Sequence, residues 1–328
     1  MGDVVIGLDL GGTQIRSARL DPALNILQRE NMLTLADEGL EPTLQRIKEA
    51  IYKVLPEDRS TVKGIGISAP GPLNPLTGVV VAPPNLPGWH DVPLEDILHE
   101  EFDLPVYVGN DANVAGLAEV TRGAAKGYRH AIFITVSTGI GSGIIYDGRL
   151  LLGKEGLGGE VGHTIIINDD TVSTLEKSAA GPALARRARA AIEAGRESSI
   201  LELAGGDLKK IDARIIGEAA KQGDALALEI VDFSAKIVGL GIVSLLLLFN
   251  PEVIVIGGGV SKFGPSWFEK IWDTVREYTL DDSYWRDLEI VPADLGGAVS
   301  IIGAAALVLT RGGQTDVAEF ATTLDMYD

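Results

Sequence analysis

Apolar positions along this chain recur with two periods, and the places where one gives way to the other outline the elements. Val4 to Leu10 (VVIGLDL) is a nearly continuous apolar run, which predicts a strand buried on both faces with a carboxylate, Asp9, near its end. Gly11-Gly12 turns the chain, Ile15 to Leu20 predicts a second strand, and Asp21-Pro22 opens a turn before a third strand beginning over Ile26 to Glu30. Leu40 to Leu55 carries Leu44, Ile47, Ile51 and Leu55 at helical spacing. Val62 to Ser68 predicts a strand closed by Ala69-Pro70-Gly71-Pro72. Pro105 to Val108 predicts a short strand, and Val114 to Glu119 a helix.

The opening pattern then returns. Ile132 to Ser137 predicts a strand, Thr138-Gly139-Ile140-Gly141 a turn, Ser142 to Tyr146 a second strand, Asp147-Gly148 a hairpin turn, and Arg149 to Leu152 a third strand. Strand, glycine turn, strand, Asp-led turn, strand therefore occurs twice. Such a repeat implies an internal duplication, two related α/β domains with ligands at strand ends and in loops between them. Helical cues follow over Ala179–Ala194 (with a basic face of Arg186, Arg187 and Arg189), Asp212–Gln222 and Ala225–Phe249. Val253 to Ile256 predicts a strand ending in Gly257-Gly258-Gly259. Trp267–Tyr278 predicts a helix, Leu288–Val291 a strand and Val299–Leu309 the last helix. From Gly312 the pattern weakens, and the tail is expected to be mobile.

Composition narrows the function. The chain has 328 residues, more than one core usually holds, and 40 glycines with only 5% aromatic residues favour an α/β protein rich in tight turns. A net charge of −18 argues against nucleic acid or an anionic membrane as partner, but a small phosphorylated ligand needs only a local cradle of donors. There is no cysteine, hence no disulfide, thiolate zinc site or cysteine nucleophile. The N-terminal MGDVVIGLDLGGT has neither a basic start nor a signal-type apolar core, and the longest apolar run, Ile237 to Phe249, is too short to cross a bilayer. A cytoplasmic location is expected.

Three glycine-bearing turns follow apolar strands: Gly11-Gly12-Thr13, Thr138-Gly139-Ile140-Gly141 and Gly257-Gly258-Gly259. Glycine lets backbone N–H groups approach a phosphate, and threonine adds a hydroxyl donor. The first two turns lead into strands, so neither the dinucleotide fingerprint nor the G-x-x-x-x-G-K-[ST] loop fits. Asp9 beside the first turn suits either capping of that turn or holding a magnesium ion through water. VGNDANVAGLAE places Asn110, Asp111 and Asn113 where a strand meets a helix. Helix capping and a catalytic base both suit that position.

DLGGTQIRSARLD, SAPGPLNPLTG, PNLPGW, VGNDANVAGLAE, TVSTGIGSGIIYDGRLL, GLGGEVGH and VIVIGGGVS, in this order, resemble the ROK family (repressors, open reading frames and kinases), and within it the sugar kinases of glucokinase type. The likeness spans roughly residues 4 to 310. It implies the duplicated actin-like (ribonuclease H-like) fold with an interdomain cleft that closes over a nucleotide. It also implies a smaller domain of residues 1–113 with about 298–328 packed back on it, and a larger one of 114–297. By resemblance Asp111 is the base that deprotonates a sugar hydroxyl. Asn110, Glu160, His163 and Glu176 bind the sugar, with Gly71 and Asn85 as further contacts. Gly11, Gly12, Thr13 and Gln14, with Thr138, Gly139 and Gly141, cradle phosphates, Gly257, Gly258 and Gly259 line the adenosine side, and Asp9 supports Mg2+. The implied reaction is ATP-dependent phosphorylation of the 6-hydroxyl of glucose, a step of glycolysis, by a homodimer. N-acetylmannosamine, N-acetylglucosamine or fructose as acceptor, polyphosphate as donor, and a non-catalytic sugar sensor are the alternatives. Repressors of the family carry a helix-turn-helix before the first strand, which here begins near residue 4.

Two departures stand out. Gln14 occupies a position where many relatives have lysine. In most relatives the His163 position is followed by a cysteine-rich zinc loop ending in a sugar-binding Glu. Here Thr164-Ile165-Ile166-Ile167-Asn168-Asp169-Asp170-Thr171 follows, and Leu175-Glu176 resumes the pattern. The Ile165–Ile167 run is expected to order this loop in place of metal. Metal analysis of the purified chain is expected to find no tightly bound zinc; one equivalent per chain would contradict the assignment.

Overall fold

The computed structural model describes residues 2–168 and 171–324. In chain order the strands are β1 (Val4–Leu10), β2 (Gln14–Leu20), β3 (Ile26–Leu33), β4 (Val62–Ala69), the short β5 (Leu73–Asn74), β6 (Val79–Val80) and β7 (Val92–Pro93), then β8 (Val106–Asn110), β9 (Ala131–Val136), β10 (Ile140–Tyr146), β11 (Arg149–Leu150), β12 (Ile165–Asn168), β13 (Thr171–Thr174), β14 (Val253–Gly257) and β15 (Glu289–Pro292). The helices are α1 (Leu40–Val54), α2 (Leu94–Phe102), α3 (Asp111–Arg122), α4 (Leu175–Ala179), α5 (Gly181–Glu193), α6 (Ser199–Leu203), α7 (Ala213–Lys221), α8 (Ala225–Phe249), α9 (Pro265–Tyr278), α10 (Val299–Leu309) and α11 (Val317–Leu324).

The repeat is visible in the topology. One five-stranded sheet runs β3-β2-β1-β4-β8 and the other β11-β10-β9-β14-β15, the same order in equivalent strands. Contacts group residues 1–133, 143–159 and 293–328 into one unit, and 134–142 with 160–292 into a second.

In the first unit β1 pairs antiparallel with β2 and parallel with β4, which pairs parallel with β8. One face of this sheet (Ile6, Leu8, Ile65, Ile67, Val108) joins Ile47 and Ile51 of α1 and Leu94 and Leu98 of α2 in a continuous core. On the other face Gly7, Gly66 and Gly109 admit α10. A methyl group on Gly66 would stand 1.7 Å from Ala304 O, and one on Gly7 2.6 Å from Ile301 O. Gly303 of α10 meets α3 as closely, 2.0 Å from Val114 O to an added methyl. Glu119 of α3, fully buried, accepts from Ala124 N at 2.8 Å and from Leu295 N at 3.3 Å, which ties down the segment entering α10.

In the second unit α8 packs between α7 and α9. It spans the Ala225–Phe249 range that the sequence predicted, and its apolar window extends beyond the Ile237–Phe249 run. By length and composition it could cross a membrane, but 67% of its most apolar window is buried inside the protein. Asp224 caps it, accepting from Ala227 N at 2.9 Å.

Two expectations need correction. The tail is not featureless: α11 buries Val317, Ala318, Ala321 and Leu324. Asp316 caps α11, accepting from Glu319 N at 3.0 Å and pairing with Arg129, and Val317 N donates to Gly148 O at 2.7 Å. These are tertiary contacts, invisible to periodicity. Residues 325–328 lie outside the described residues. In the loop after His163, β12 and β13 form an antiparallel hairpin in which Ile166 is 8% exposed but Ile165 and Ile167 are 62% and 68% exposed. Alternation along a strand sends neighbours to opposite faces, so the isoleucine run does not pack as a block. Asp169 and Asp170 fall outside the described residues.

Gly66→Ala is expected to cost about 3 kcal/mol in denaturant unfolding, because a backbone carbonyl cannot move aside as a side chain can. Gly2→Ala, where an added methyl meets nothing within 4 Å, is expected to stay within about 0.5 kcal/mol.

Candidate active site

The first unit gathers half of the expected site around one cavity of about 490 Å³. Asp9, Gly11, Gly12, Thr13, Gln14, Asn85 and Asp111 all line it, with Arg16, Pro70 and Ser300. Strand ends and helix starts supply them: β1 stops at Leu10, β4 at Ala69, and α3 begins at Asp111.

The β1–β2 turn spans three residues, Gly11 to Thr13. Gly11 N donates to Gln14 O at 2.9 Å, and Thr34 Oγ1 donates to Gly11 O at 2.6 Å. Gly11 N–H is therefore occupied within the turn, and Gly12 and Thr13 carry the amides on offer to a ligand. A methyl on Gly12 would lie 2.9 Å from Asn85 O, so this glycine brings the turn against the Asn85 loop.

At the β8–α3 junction both readings of the sequence meet. Asn110 is the N-cap, its Oδ1 accepting from Ala112 N at 3.0 Å, and Asp111 Oδ1 accepts from the same N–H at 2.7 Å. Helix α3 thus starts three residues earlier than the apolar pattern predicted. Asp111 remains exposed at its first turn. A methyl on Gly71 would come within 2.8 Å of Asn110 Nδ2, so Gly71 lets the β4 loop reach that amide.

Asp9 is 7% exposed. Burial pushes its carboxyl above the ordinary value, against the pull of Arg16, whose Nε donates to Asp9 Oδ2 at 2.7 Å. Arg16 Nη2 pairs with the same oxygen, which leaves Oδ1 for a further partner. Among the described residues no three His, Cys, Asp or Glu side chains gather as a metal group. A magnesium ion takes most of its ligands from water and phosphate, so a lone carboxylate oxygen of this kind fits that ion.

The second unit holds the other expected residues. A cavity of about 690 Å³ is lined by Thr138 and Gly259 together with Arg189, Lys262 and Phe263. Gly258, at φ 92°, could not carry a side chain, since a methyl would stand 2.3 Å from Val136 O. Gly257 ends β14. The turn after β9 is Ser137-Thr138-Gly139, closed by Ser137 N donating to Gly139 O at 2.8 Å. Gly141 lies in β10, a correction to the longer turn expected. Glu160 precedes the short turn Val161–His163, His163 ends it, and both are exposed. Gly162 presses that turn onto β10, 2.0 Å from an added methyl to Ile140 O. Glu176 Oε2 accepts from Ile140 N at 2.9 Å, so this residue braces the Thr138–Gly139 turn.

Sequence reasoning did not assign Arg16 or Ser300 to the first cavity, or Lys262 and Phe263 to the second, and it placed Arg189 only on the basic face of a helix. Arg16 falls opposite Asp9 because Leu10 pairs with Ile15 across the turn. The others are brought in by tertiary packing.

The two sheets of equal order and the solved structures alike define the actin-like two-domain α/β fold. The chain belongs to the ROK family, whose model matches residues 5–311. It is 34% identical to a glucokinase of Thermotoga maritima, over 94% of this chain and 98% of that protein. It is 31% identical to a xylose repressor of Caldicellulosiruptor bescii, over 93% of this chain and 78% of the repressor. A ROK hexokinase structure from Thermus thermophilus has a TM-score of 0.79 and 35% identity, covering 94% of this chain and 98% of its own. A ROK glucokinase from Streptomyces griseus, solved with glucose and AMPPNP, has a TM-score of 0.74 and 32% identity, covering 93% and 98%.

Glu176→Ala is expected to lower stability by about 1 kcal/mol in denaturant unfolding, through loss of the bond from Ile140 N. Glu176→Gln, which keeps an acceptor there, is expected to stay close to the parent.

Proposed function

We propose that the protein is an ATP-dependent hexose kinase that transfers the γ-phosphoryl group to the 6-hydroxyl of glucose. The observation that carries this reading is the cavity that Asp111 shares with the Gly12–Thr13 turn: a carboxylate at a helix start and a glycine turn at a strand end line one space. Glucokinase relatives, and the glucose and AMPPNP complex of the Streptomyces griseus protein, support it.

Phosphoryl transfer depends mostly on positioning and on charge stabilisation. Asp111 accepts the 6-hydroxyl proton while that oxygen bonds to the γ-phosphorus. The bond from γ-phosphorus to the bridging oxygen breaks, and ADP leaves with the electron pair. Asn110 Oδ1 is held by Ala112 N, so its Nδ2 is the group that binds the sugar. Glu160 accepts from two adjacent hydroxyls, which suits a carboxylate. His163, Glu176, Asn85 and Gly71 complete the sugar side. Gly12, Thr13 and Gln14 hold phosphates, as do Thr138 and Gly139, and Gly257 to Gly259 face the adenosine. Asp9 supports magnesium, which when bound neutralises phosphate charge. Residues 1–113 with about 298–328, and residues 114–297, are the two working domains of a cytoplasmic dimer.

The test is ADP release with Mg-ATP over glucose, mannose, fructose, N-acetylglucosamine and N-acetylmannosamine, beside Asp111→Ala. Strong turnover of glucose is expected, falling about 10³-fold in the variant while sugar binding persists. Preference for another hexose would reassign the acceptor. No turnover with sugar still bound would point to another phosphoryl donor or to a sugar sensor.

A further inference from the structure

Arg16 has no part in the reading above. It stands on β2 opposite Asp9 on β1. Its Nε donates to Asp9 Oδ2 at 2.7 Å, and Nη2 pairs with the same oxygen. Nη1 donates to Gly297 O at 3.3 Å, in the turn entering α10. A carboxylate and a carbonyl from separate elements therefore hold one guanidinium. A guanidinium has five N–H donors in a rigid fork, and three such contacts leave two for a ligand. The side chain keeps 29% exposure, against 10% for Asp9.

The cavity supplies the second argument. Among the described residues that line it, Arg16 is the only cation, and Asp9 and Asp111 are the two carboxylic side chains. A phosphoryl group entering between two carboxylates is repelled unless a positive charge stands with them. Gln14, two positions earlier on the same strand face, is neutral and cannot provide it.

We propose that Arg16 is a catalytic residue of the transfer: braced by Asp9 and Gly297 O, its guanidinium contacts the terminal phosphate of the nucleotide and stabilises the charge developing there. The proposal rests on the kinase reading. No bond to Arg16 forms or breaks. It donates hydrogen bonds to the phosphoryl oxygens while the phosphorus passes from ADP to the sugar oxygen. Asp9 then has two tasks on two oxygens, Oδ2 for the arginine and Oδ1 for the metal's water.

The experiment compares the parent with Arg16→Gln, Arg16→Lys and Arg19→Gln. Calorimetry gives affinities for ADP, AMPPNP and glucose with Mg2+, and steady-state kinetics gives kcat and KM. Arg16→Gln is expected to weaken AMPPNP about tenfold while ADP and glucose stay within about twofold, and to lower kcat about 100-fold. Arg16→Lys is expected to recover part of kcat, since it keeps the charge but loses the fork. Arg19→Gln, the same charge loss on the same strand, is expected to match the parent. Equal effects on ADP and AMPPNP, or an Arg16→Gln kcat within about threefold of the parent, would overturn the proposal. Loss of glucose, ADP and AMPPNP affinity together would make Arg16 structural and overturn it too. A parent that binds AMPPNP but phosphorylates no hexose would overturn the kinase reading alone, because the AMPPNP-to-ADP ratio still reports on Arg16. A parent that binds neither nucleotide would overturn both.

Discussion

The architecture of the first unit depends on how closely α10 lies on the sheet. Gly7 and Gly66 clear one face of β1 and β4 for the helix backbone, and Gly109 clears β8 for the Leu307 side chain. Gly303 then lets α3 cross α10 at comparable range. The consequence reaches the cavity. Packing at this distance fixes where α3 and α10 begin, and those beginnings bring Asp111, Ser300 and the Gly297 carbonyl to the strand ends. A methyl group at Gly66 would not line the cavity, but it acts on the element that positions it.

Long elements with strong periodicity were legible. Strand β1, the helices α8 and α10, and the repeated strand–turn–strand pattern stand where the apolar spacing put them, because each is set by burial of its own side chains. The duplication was legible for the same reason, and the matching strand orders bear it out. What failed was structure held by distant partners. α11 depends on Asp316, Arg129 and the Gly148 carbonyl, which a local window cannot see. The hairpin of β12 and β13 looked like a packing run of isoleucines, because three apolar neighbours in a row conceal the alternation that the strand imposes.

The candidate site was legible as an ordered set of short motifs, and the structure gathers those of the first unit around one cavity. Its finer wiring was not. Which amide of the glycine turn is free depends on Gly11 N folding back to Gln14 O. That Glu176 braces Ile140 N follows from the path of the chain after β13, not from the Leu175-Glu176 dipeptide. The Asp9–Arg16 pair needed the register of β1 against β2 as well as the residues themselves.

That pair also records how the two halves of the chain diverged. Both first hairpins turn in three residues, Gly11 to Thr13 and Ser137 to Gly139. The first hairpin carries opposite charges across its turn, whereas β9 and β10 carry no charged side chain. Since their common origin the halves have kept the backbone and changed the electrostatics, so that a symmetric ancestry has ended in a polarised pair.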